Sequence, residues 1–411
     1  MQPGLRRSFS LLAAALLTLE VLLPLPLRAQ EAERYIAVID AGSSGSRIHL
    51  YARHRSSSGA QVRELLSERS GEALSSFDTA PAEAGVKGLQ PLLNTLSTRL
   101  DQLGVTRNEV HLHLLATAGM RRVEQRNPDA AAAIYAAARS SLTLTGMRVG
   151  RVETLSGKLE GAYAWVDVNY LNGSLSESGA NPVGMVEVGG ASAQIAYQTH
   201  RPDAEGVTAL SVNGRTHYVV SISWLGLGQD EARRAMIQAS RSLPAPSVNP
   251  CYPNNASNAG GLSAFSPEPQ AEPITNSHYR FRACSALYEA VLKPFRVGGA
   301  LSGETVNRWV GVSSVFFALS DWQALANPEA LGRNLQAQCE GVDAYGTQVT
   351  RFIKRDPANR FAQNACANGT FVHALLFSSE GLGLQPEQVQ AAAKLGGNTL
   401  SWTRGFALVA Q

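Results

Sequence analysis

The sequence predicts an α/β protein built from two related halves. Strands and helices alternate along the chain, which is the pattern of α/β domains. An apolar strand that ends in an acidic residue and a glycine-containing turn occurs twice, around Asp40 and around Glu187. The 411 residues are enough for two domains of ordinary size. We interpret the repeated strand and turn as an internal duplication.

The composition is that of a folded globular protein. Hydrophobic residues make up 44% of the chain and charged residues 17%, which excludes a disordered chain. The formal net charge is only +3, so a basic surface for binding nucleic acid is not expected.

Residues 1–29 are predicted to be a secretory signal peptide. Two arginines precede an apolar run over 11–23, and a small-residue cleavage site stands before Gln30. The alternative is a membrane anchor, but Glu20 and Pro24 interrupt the run well short of the roughly 20 apolar residues that a membrane span needs. We therefore expect an exported protein, periplasmic or secreted, without a membrane anchor.

The four cysteines lie in the second half of the chain, and no CxxC pair suggests zinc or redox chemistry. In an exported protein, two disulfides are expected. Four cysteines allow three pairings. Sequential pairing closes the shortest loops, so the prediction is Cys251 with Cys284 and Cys339 with Cys366.

The first half begins with a hairpin. Strands at 35–39 and 47–51 flank a short polar turn. Apolar residues at three- and four-residue steps predict a helix over 86–103 that ends at Gly104. The remaining predicted elements are a strand at 110–115, a helix capped by Asn127 with Pro128 at its first position, and a strand at 147–155.

The second half repeats the alternation. A helix follows Ser156, and an apolar strand at 183–188 leads into the second glycine-rich turn. Asn213-Gly214, between strands at 207–212 and 216–223, is the strongest short hairpin signal in the chain. Further helices are predicted at 231–242, 283–295, 328–339 and 357–378.

Both turns suit a phosphate ligand. In DAGSSGSR at 40–47, small residues let backbone N–H groups and hydroxyls approach phosphate oxygens closely. EVGGAS at 187–192 repeats the arrangement. Two such loops that face each other across a cleft can hold adjacent phosphates, with Asp40 and Glu187 holding the water shell of a divalent metal between them. The sequence has no GxxxxGK[ST], so a Walker-type site is excluded.

Five segments, in order, resemble the motifs of the nucleoside triphosphate diphosphohydrolase or apyrase family. They are DAGSSGSR at 40–47, LLATAGMR at 114–121, SGKLEGAYAWVDVNYLNG at 156–173, VGMVEVGGASAQIAY at 183–197 and, more weakly, SWTRGFAL at 401–408. The resemblance implies an actin-like (RNase H-like) fold of two α/β domains with a nucleotide cleft between them. It leads us to expect domain I over 30–155, domain II over 156–393 and a return to domain I over 394–411.

The resemblance also implies residue roles. Glu160 would be the general base that takes a proton from the attacking water. Thr117, Ser192 and Gln194 would orient that water, because hydroxyl and amide groups donate and accept hydrogen bonds without competing as bases. The two loops would bind the phosphates through Ser43, Ser44, Gly45, Ser46, Arg47, Gly189, Gly190, Ala191 and Ser192.

Several positions have more than one interpretation. Arg47 either binds phosphate or points along its strand into a structural ion pair. The family commonly has aspartate where this chain has Glu187, and the longer side chain would shift the metal or alter the preference among Mg²⁺, Ca²⁺ and Mn²⁺. Phe371 stands where a family tyrosine contacts the nucleobase, and a core position is the alternative. The aromatic residues of 309–317 resemble a core strand more than a base clamp.

These observations together predict a monomeric apyrase. Its substrates would be nucleoside tri- and diphosphates, cleaved to the monophosphate by in-line attack of a water that Glu160 activates, with a divalent cation. One alternative is an exopolyphosphatase or guanosine pentaphosphate phosphatase, which shares the fold and the paired loops. The other is a non-catalytic actin-like nucleotide-binding protein, which would have no need of a base at Glu160.

Overall fold

The protein is seen in a computed structural model. It describes residues 33–56, 59–70, 72–176, 181–243, 248–253, 277–301, 306–341, 347, 351–352, 354 and 362–410. These belong to one compact unit, and the predicted leader over 1–29 lies outside them. None of the helices in the described ranges is both long and apolar enough to cross a bilayer.

The first sheet has a mixed strand arrangement around a central strand. Its described strands are β1 (Arg34–Gly42), β2 (Gly45–Ser56), β3 (Gly59–Ser70), β4 (Val110–Ala116) and β5 (Arg148–Thr154). They lie in the order β3-β2-β1-β4-β5. β1 and β2 form the predicted antiparallel hairpin, whereas β1, β4 and β5 run parallel. Asp40 therefore lies near the end of β1, opposite Arg47.

The second sheet repeats this arrangement. Its described strands are β6 (Gly184–Val188), β7 (Ser192–Gln198), β8 (Val207–Val212), β9 (Arg215–Leu225), β10 (Trp309–Ser313) and β11 (Val389–Ala391). The order is β11-β10-β6-β7-β9-β8. β6 corresponds to β1, because it is antiparallel to β7 and parallel to β10. Glu187 occupies the position of Asp40, opposite Gln194. The α/β fold and its duplication are confirmed.

Ten α-helices with described bounds pack around the two sheets. They are α1 (Gln90–Leu103), α2 (Ala118–Arg126), α3 (Pro128–Thr143), α4 (Gly157–Leu171), α5 (Gln229–Arg241), α6 (Phe281–Leu292), α7 (Ser314–Asp321), α8 (Ala330–Cys339), α9 (Ala365–Phe377) and α10 (Trp402–Val409). α4 packs on β7 and β9, and α10 packs on α4, β2 and β3. These two helices join the two sheets.

Three apolar cores accompany this arrangement. One lies under the first sheet and includes Leu96 and Ile134, and another lies under the second sheet and includes Tyr288 and Leu335. The third lies between the sheets around α4 and α10, with Trp165 buried in it. The second core contains both cysteine pairs, Cys251–Cys284 and Cys339–Cys366, which are disulfide-bonded as predicted.

The predicted helix cap, hairpin turn and helix end are confirmed. The Asn127 Oδ1 accepts a hydrogen bond from the Ala130 N–H at 3.1 Å, which caps α3. Asn213 and Gly214 both have positive φ, 54° and 76°, as the tight turn between β8 and β9 requires. Gly104 ends α1 with a φ of 66°.

Two predictions about elements are wrong in part. The helix predicted from 86 begins as a π-type turn over Ala84–Leu89, and α1 starts only at Gln90. Pro91 has no N–H to donate to Lys87, so the regular α-helical pattern is not available there. Phe316 and Phe317 do not belong to a core strand. They lie on α7, after β10 has ended, and Phe317 is 59% exposed.

A buried ion pair fastens α10 to α4. The Arg404 Nη1 donates to Asp167 Oδ1 at 2.7 Å, and its Nη2 donates to Glu64 Oε2 on β3 at 2.9 Å. The Ser401 N–H donates to the other Asp167 oxygen at 2.7 Å. Arg404 and Asp167 are both 1% exposed. Since neither charge can reach water, each depends on the other.

We expect Arg404→Met to lower the free energy of unfolding by about 3–5 kcal/mol, because it leaves Asp167 buried without its cation. Urea unfolding of the full chain measures this loss. Arg333→Met is the matched control, since its ion pair with Glu329 is 62% and 66% exposed, and there we expect a loss of at most about 1 kcal/mol. Equal losses of unfolding free energy in the two variants would contradict a larger stabilising contribution from the buried pair.

Candidate active site

The two predicted phosphate loops meet between the sheets. A Cβ added to Gly190 in the β6–β7 loop would lie 2.8 Å from the Ser43 Oγ in the β1–β2 loop, so a larger residue there would have to displace the Ser43 hydroxyl. A small pocket forms here, and its lining includes Ser43, Gly119, Gly190 and Ala191. The turn residues that the sequence assigned to phosphate therefore face one another.

Backbone hydrogen bonds hold the second loop. The carbonyl groups of Gly189 and Gly190 accept from the N–H groups of Gln229 and Asp230, both at 2.9 Å. The Ala191 carbonyl accepts from the Gly226 N–H at 2.8 Å. The start of α5 and the residues before it thus pair the three loop carbonyls and fix the backbone of the loop.

The first loop is held from β3. The Arg69 Nη2 donates to the Ser44 carbonyl at 2.6 Å, and the Ser46 Oγ donates to the Glu72 carbonyl at 3.3 Å. Gly45 has a φ of 141°, which favours glycine. Arg47 lies opposite Asp40 across the hairpin, and its charge opposes the rise that burial causes in the pKa of that carboxyl.

Glu160 is buried at the start of α4, where one arginine and one glutamine donate hydrogen bonds to it. Its Oε2 accepts from the Arg121 Nη2 and, at 3.2 Å, from the Gln194 Nε2. Burial raises the pKa of Glu160, and Arg121 opposes that rise. Gly161 explains the close fit, because a Cβ there would lie 3.2 Å from the Cβ of Gln194. The helix can therefore bring its glutamate against β7.

The other residues that were assigned to water surround this glutamate. The Gln194 Nε2 also lies 2.6 Å from the Ser192 Oγ and 3.2 Å from the Ser223 Oγ. Thr117 is buried where β4 passes into α2, and its N–H donates to the Ala41 carbonyl at 3.1 Å, beside the end of β1. Gln194, Ser192 and Glu160 thus form one hydrogen-bonded group.

Asp40 and Glu187 face Glu160 across the same site. Burial raises the pKa of Asp40 to about 7 and that of Glu187 to about 8, and repulsion from Glu160 adds to both. Among the described groups, Asp40 Oδ1 and Glu187 Oε2 are buried without a hydrogen-bond donor. Oxygens of this kind fit the water shell of a hard divalent cation. In the described ranges no group of three or more His, Cys, Asp or Glu side chains is arranged to hold a metal ion.

Ser313 is a residue of the site that the motifs do not include. Its Oγ donates to the Glu187 Oε1 at 3.0 Å, from the point where β10 passes into α7. Its φ is 55° with a ψ of −124°, a conformation that costs a non-glycine residue about 1–3 kcal/mol. The strained backbone directs the hydroxyl at the carboxylate.

Four further partners were not assigned from the sequence. Arg121 and Trp402 lie inside recognised motifs, and Trp402 lowers the pKa of Asp40 as a hydrogen-bond donor. Ser223 and Ser313 lie outside the motifs, on β9 and at the end of β10. The internal duplication is the sequence signal that could have found them. In each half, the strand beside the one that carries Asp40 or Glu187 ends at the same edge of its sheet.

Phe371 does not join this group. It lies on α9, is 0% exposed, and has its ring centroid 5.4 Å from that of Tyr288 in the second core. Its assignment to the nucleobase stays a prediction.

The two sheets, with a small-residue loop and a buried acidic residue at the same edge of each, define a duplicated α/β protein. The profile of the GDA1/CD39 (nucleoside phosphatase) family matches residues 27–411, and the chain belongs to that family. It is 26% identical to ectonucleoside triphosphate diphosphohydrolase 8 of Bos taurus over 95% of this chain and 84% of the relative. Family membership makes the chain a hydrolytic enzyme.

Solved structures share its fold. Nucleoside triphosphate hydrolase from Neospora caninum has a TM-score of 0.63 at 16% identity, over 92% of both chains. A Ppx/GppA family member from Aquifex aeolicus has a TM-score of 0.52 at 13% identity, over 92% of this chain and 97% of that chain. The actin-like fold that the sequence implied is confirmed.

We expect Mg²⁺ to stabilise the protein more as the pH rises from about 6 to about 8. Below their raised pKa values, about 7 for Asp40 and about 8 for Glu187, both carboxyls hold protons and attract a cation weakly. Without the cation the sign reverses, because a group with a raised folded-state pKa loses its stabilising contribution as the pH rises through that pKa. Thermal unfolding with excess Mg²⁺ and with chelator measures both trends.

The double variant Asp40→Asn, Glu187→Gln removes both titrating groups. In that protein the Mg²⁺-induced shift should become small and independent of pH. A shift in the unaltered protein that is equal at both ends of this pH range would refute the assignment of the two carboxyls to the cation.

Proposed function

We infer that this chain hydrolyses nucleoside tri- and diphosphates to the monophosphate and inorganic phosphate, with Glu160 as the general base. The observation that supports this role is the buried Glu160, which interacts with the charges of Asp40 and Glu187 and is hydrogen-bonded to Gln194 at 3.2 Å. Both of its donors contact Oε2. Oε1 is then the oxygen that accepts the proton of the attacking water.

The neighbouring groups orient that water. Gln194 and Ser192 would donate and accept from one side, and Thr117, which follows β4, is assigned to the same water. Arg121 favours the ionised form of the glutamate, since its guanidinium opposes the rise that burial causes in the pKa of Glu160. A carboxylate held in this way contributes by removing a proton as the water attacks in line.

Asp40 and Glu187 would hold a divalent cation, Mg²⁺, Ca²⁺ or Mn²⁺, through its water shell. Their buried oxygens without donors support this assignment. A bound cation would neutralise phosphate charge. Ser313 holds one oxygen of Glu187 and leaves the other for the cation's water.

The loops would bind the phosphates through backbone N–H groups and the hydroxyls of Ser43, Ser44 and Ser46. Arg47 is assigned to phosphate as well, and its position opposite Asp40 keeps it at the same edge of the sheet. Phe371 is retained as the nucleobase candidate from the family resemblance alone.

We also propose that the protein acts in an exported compartment, periplasmic or secreted, as a monomer. The two disulfides support this proposal, because such bonds persist mainly in oxidising compartments. The predicted signal peptide over 1–29 points the same way.

Phosphate release from ATP, ADP, AMP and polyphosphate tests the reaction. We expect release from ATP and ADP, none from AMP, and no release with excess chelator. Release from polyphosphate alone would instead favour the exopolyphosphatase alternative, and release from none of the four would favour a nucleotide-binding protein without catalysis.

Glu160→Gln should lower kcat by about 10²–10⁴-fold, because a positioned base contributes that much. Binding of adenylyl imidodiphosphate, a non-hydrolysable ATP analogue, should persist, which isothermal titration calorimetry measures. Glu329→Gln is the control, since this glutamate is exposed and pairs with Arg333 away from the site. A Glu160→Gln enzyme with the unaltered rate would exclude the base assignment.

A further inference from the structure

An ion pair crosses the pocket between the two phosphate loops. The Arg122 Nη1 on α2 lies 2.5 Å from the Glu231 Oε2 on α5. α2 follows β4 of the first sheet, and α5 follows β9 of the second sheet, with its first N–H groups donating to the carbonyls of the second loop. Both side chains line the pocket that Ser43 and Gly190 also line. The pair therefore lies at the phosphate loops, and none of the roles assigned above uses it.

Glu231 also forms an ion pair with a second arginine. The Arg234 Nη1, one turn later on α5, lies 2.5 Å from the same Oε2. The Glu231 side chain is only 10% exposed, so an unpaired carboxylate there would be costly. Because Arg234 stays paired with it, Arg122 can leave Glu231 without creating that cost.

The pocket needs this cation when an anion enters. Its described lining contains the two acids Asp230 and Glu231, and Arg122 is the cation among the lining residues. Without it, a phosphate group placed here would meet two carboxylates and no cation among the lining residues, beside the small residues of the loops. Arginine suits phosphate because its planar guanidinium donates two parallel hydrogen bonds. The Arg122 side chain is 29% exposed, compared with 13% for Arg234, so it is the more accessible of the two.

We propose that Arg122 is a phosphate-binding residue that exchanges Glu231 for a phosphate group of the substrate. This rests on the proposed function in so far as the ligand is a nucleoside polyphosphate. Glu231 then acts as a competing anion that holds Arg122 in place before the ligand arrives. Because of this exchange, the affinity of the pocket for a phosphate group depends on Glu231 as well as on Arg122.

The two substitutions should have opposite effects. Arg122→Gln should weaken binding of adenylyl imidodiphosphate about tenfold or more, because a charge-assisted hydrogen bond to phosphate is lost. Glu231→Gln should tighten binding several-fold, because Arg122 no longer has to leave a carboxylate. Calorimetric titration of the full chain in excess Mg²⁺ measures both dissociation constants. Arg126→Gln, on the same helix but paired with Asp78, is the matched control and should change nothing.

An ion pair with only a structural role would change the two affinities differently. If the pair only holds α2 against α5, both substitutions break the same contact and shift the affinity in the same direction, which would overturn the exchange. An unchanged affinity in Arg122→Gln would overturn it too. If that variant does not fold, as judged by circular dichroism, Arg122→Lys replaces it. Lysine keeps the charge but loses the two-pronged geometry, so affinity should still fall.

The binding assay needs no turnover, which separates this proposal from the hydrolysis reaction. If the unaltered protein releases no phosphate but the variants bind with opposite shifts, the exchange stands and the hydrolysis reaction fails. If it hydrolyses ATP but Arg122→Gln binds the analogue normally, the exchange fails alone. An unaltered protein that does not bind the analogue overturns both.

Discussion

Three carboxylates that share one partly buried site impose the main constraint on this structure. Asp40, Glu160 and Glu187 repel one another, and burial makes the charged form of each still less favourable. Such a group persists only where other residues compensate for it. Arg121 compensates Glu160, and Ser313 donates to Glu187. The oxygens that remain without donors are those that a cation's water shell would satisfy.

The duplicated fold explains how these acids come together. Each of two carboxylates lies near the end of a central strand, beside a glycine-containing loop, and the loops meet at Ser43 and Gly190. The third comes from α4, which joins the sheets. The Arg404–Asp167 pair fixes α10 against α4 two turns beyond Glu160, and Trp402 of α10 reaches back to Asp40. Packing far from the loops therefore sets the spacing of the acids.

Features that depend on a few neighbouring residues were predictable from the sequence, whereas contacts between residues far apart in the chain were not. Asn127 and Asn213-Gly214 act within a few residues, so their cap and turn follow from the sequence alone. The loops were also recognisable, because phosphate binding needs small residues in succession. Ser313 could not be found this way, since its role depends on β10 lying beside β6. Phe316 and Phe317 were misplaced because a short apolar run fits a strand and a helix equally well.

Glu187 shows how a longer side chain is accommodated at a position where the family commonly has aspartate. Its extra methylene carries the carboxylate toward the end of β10, where the Ser313 hydroxyl holds Oε1 at 3.0 Å. Ser313 keeps a φ of 55° to do so, at a cost of about 1–3 kcal/mol. With one oxygen fixed, the carboxylate has few orientations left, and Oε2 stays near Asp40 and Glu160. The strained backbone of Ser313 thus orients the carboxylate of Glu187.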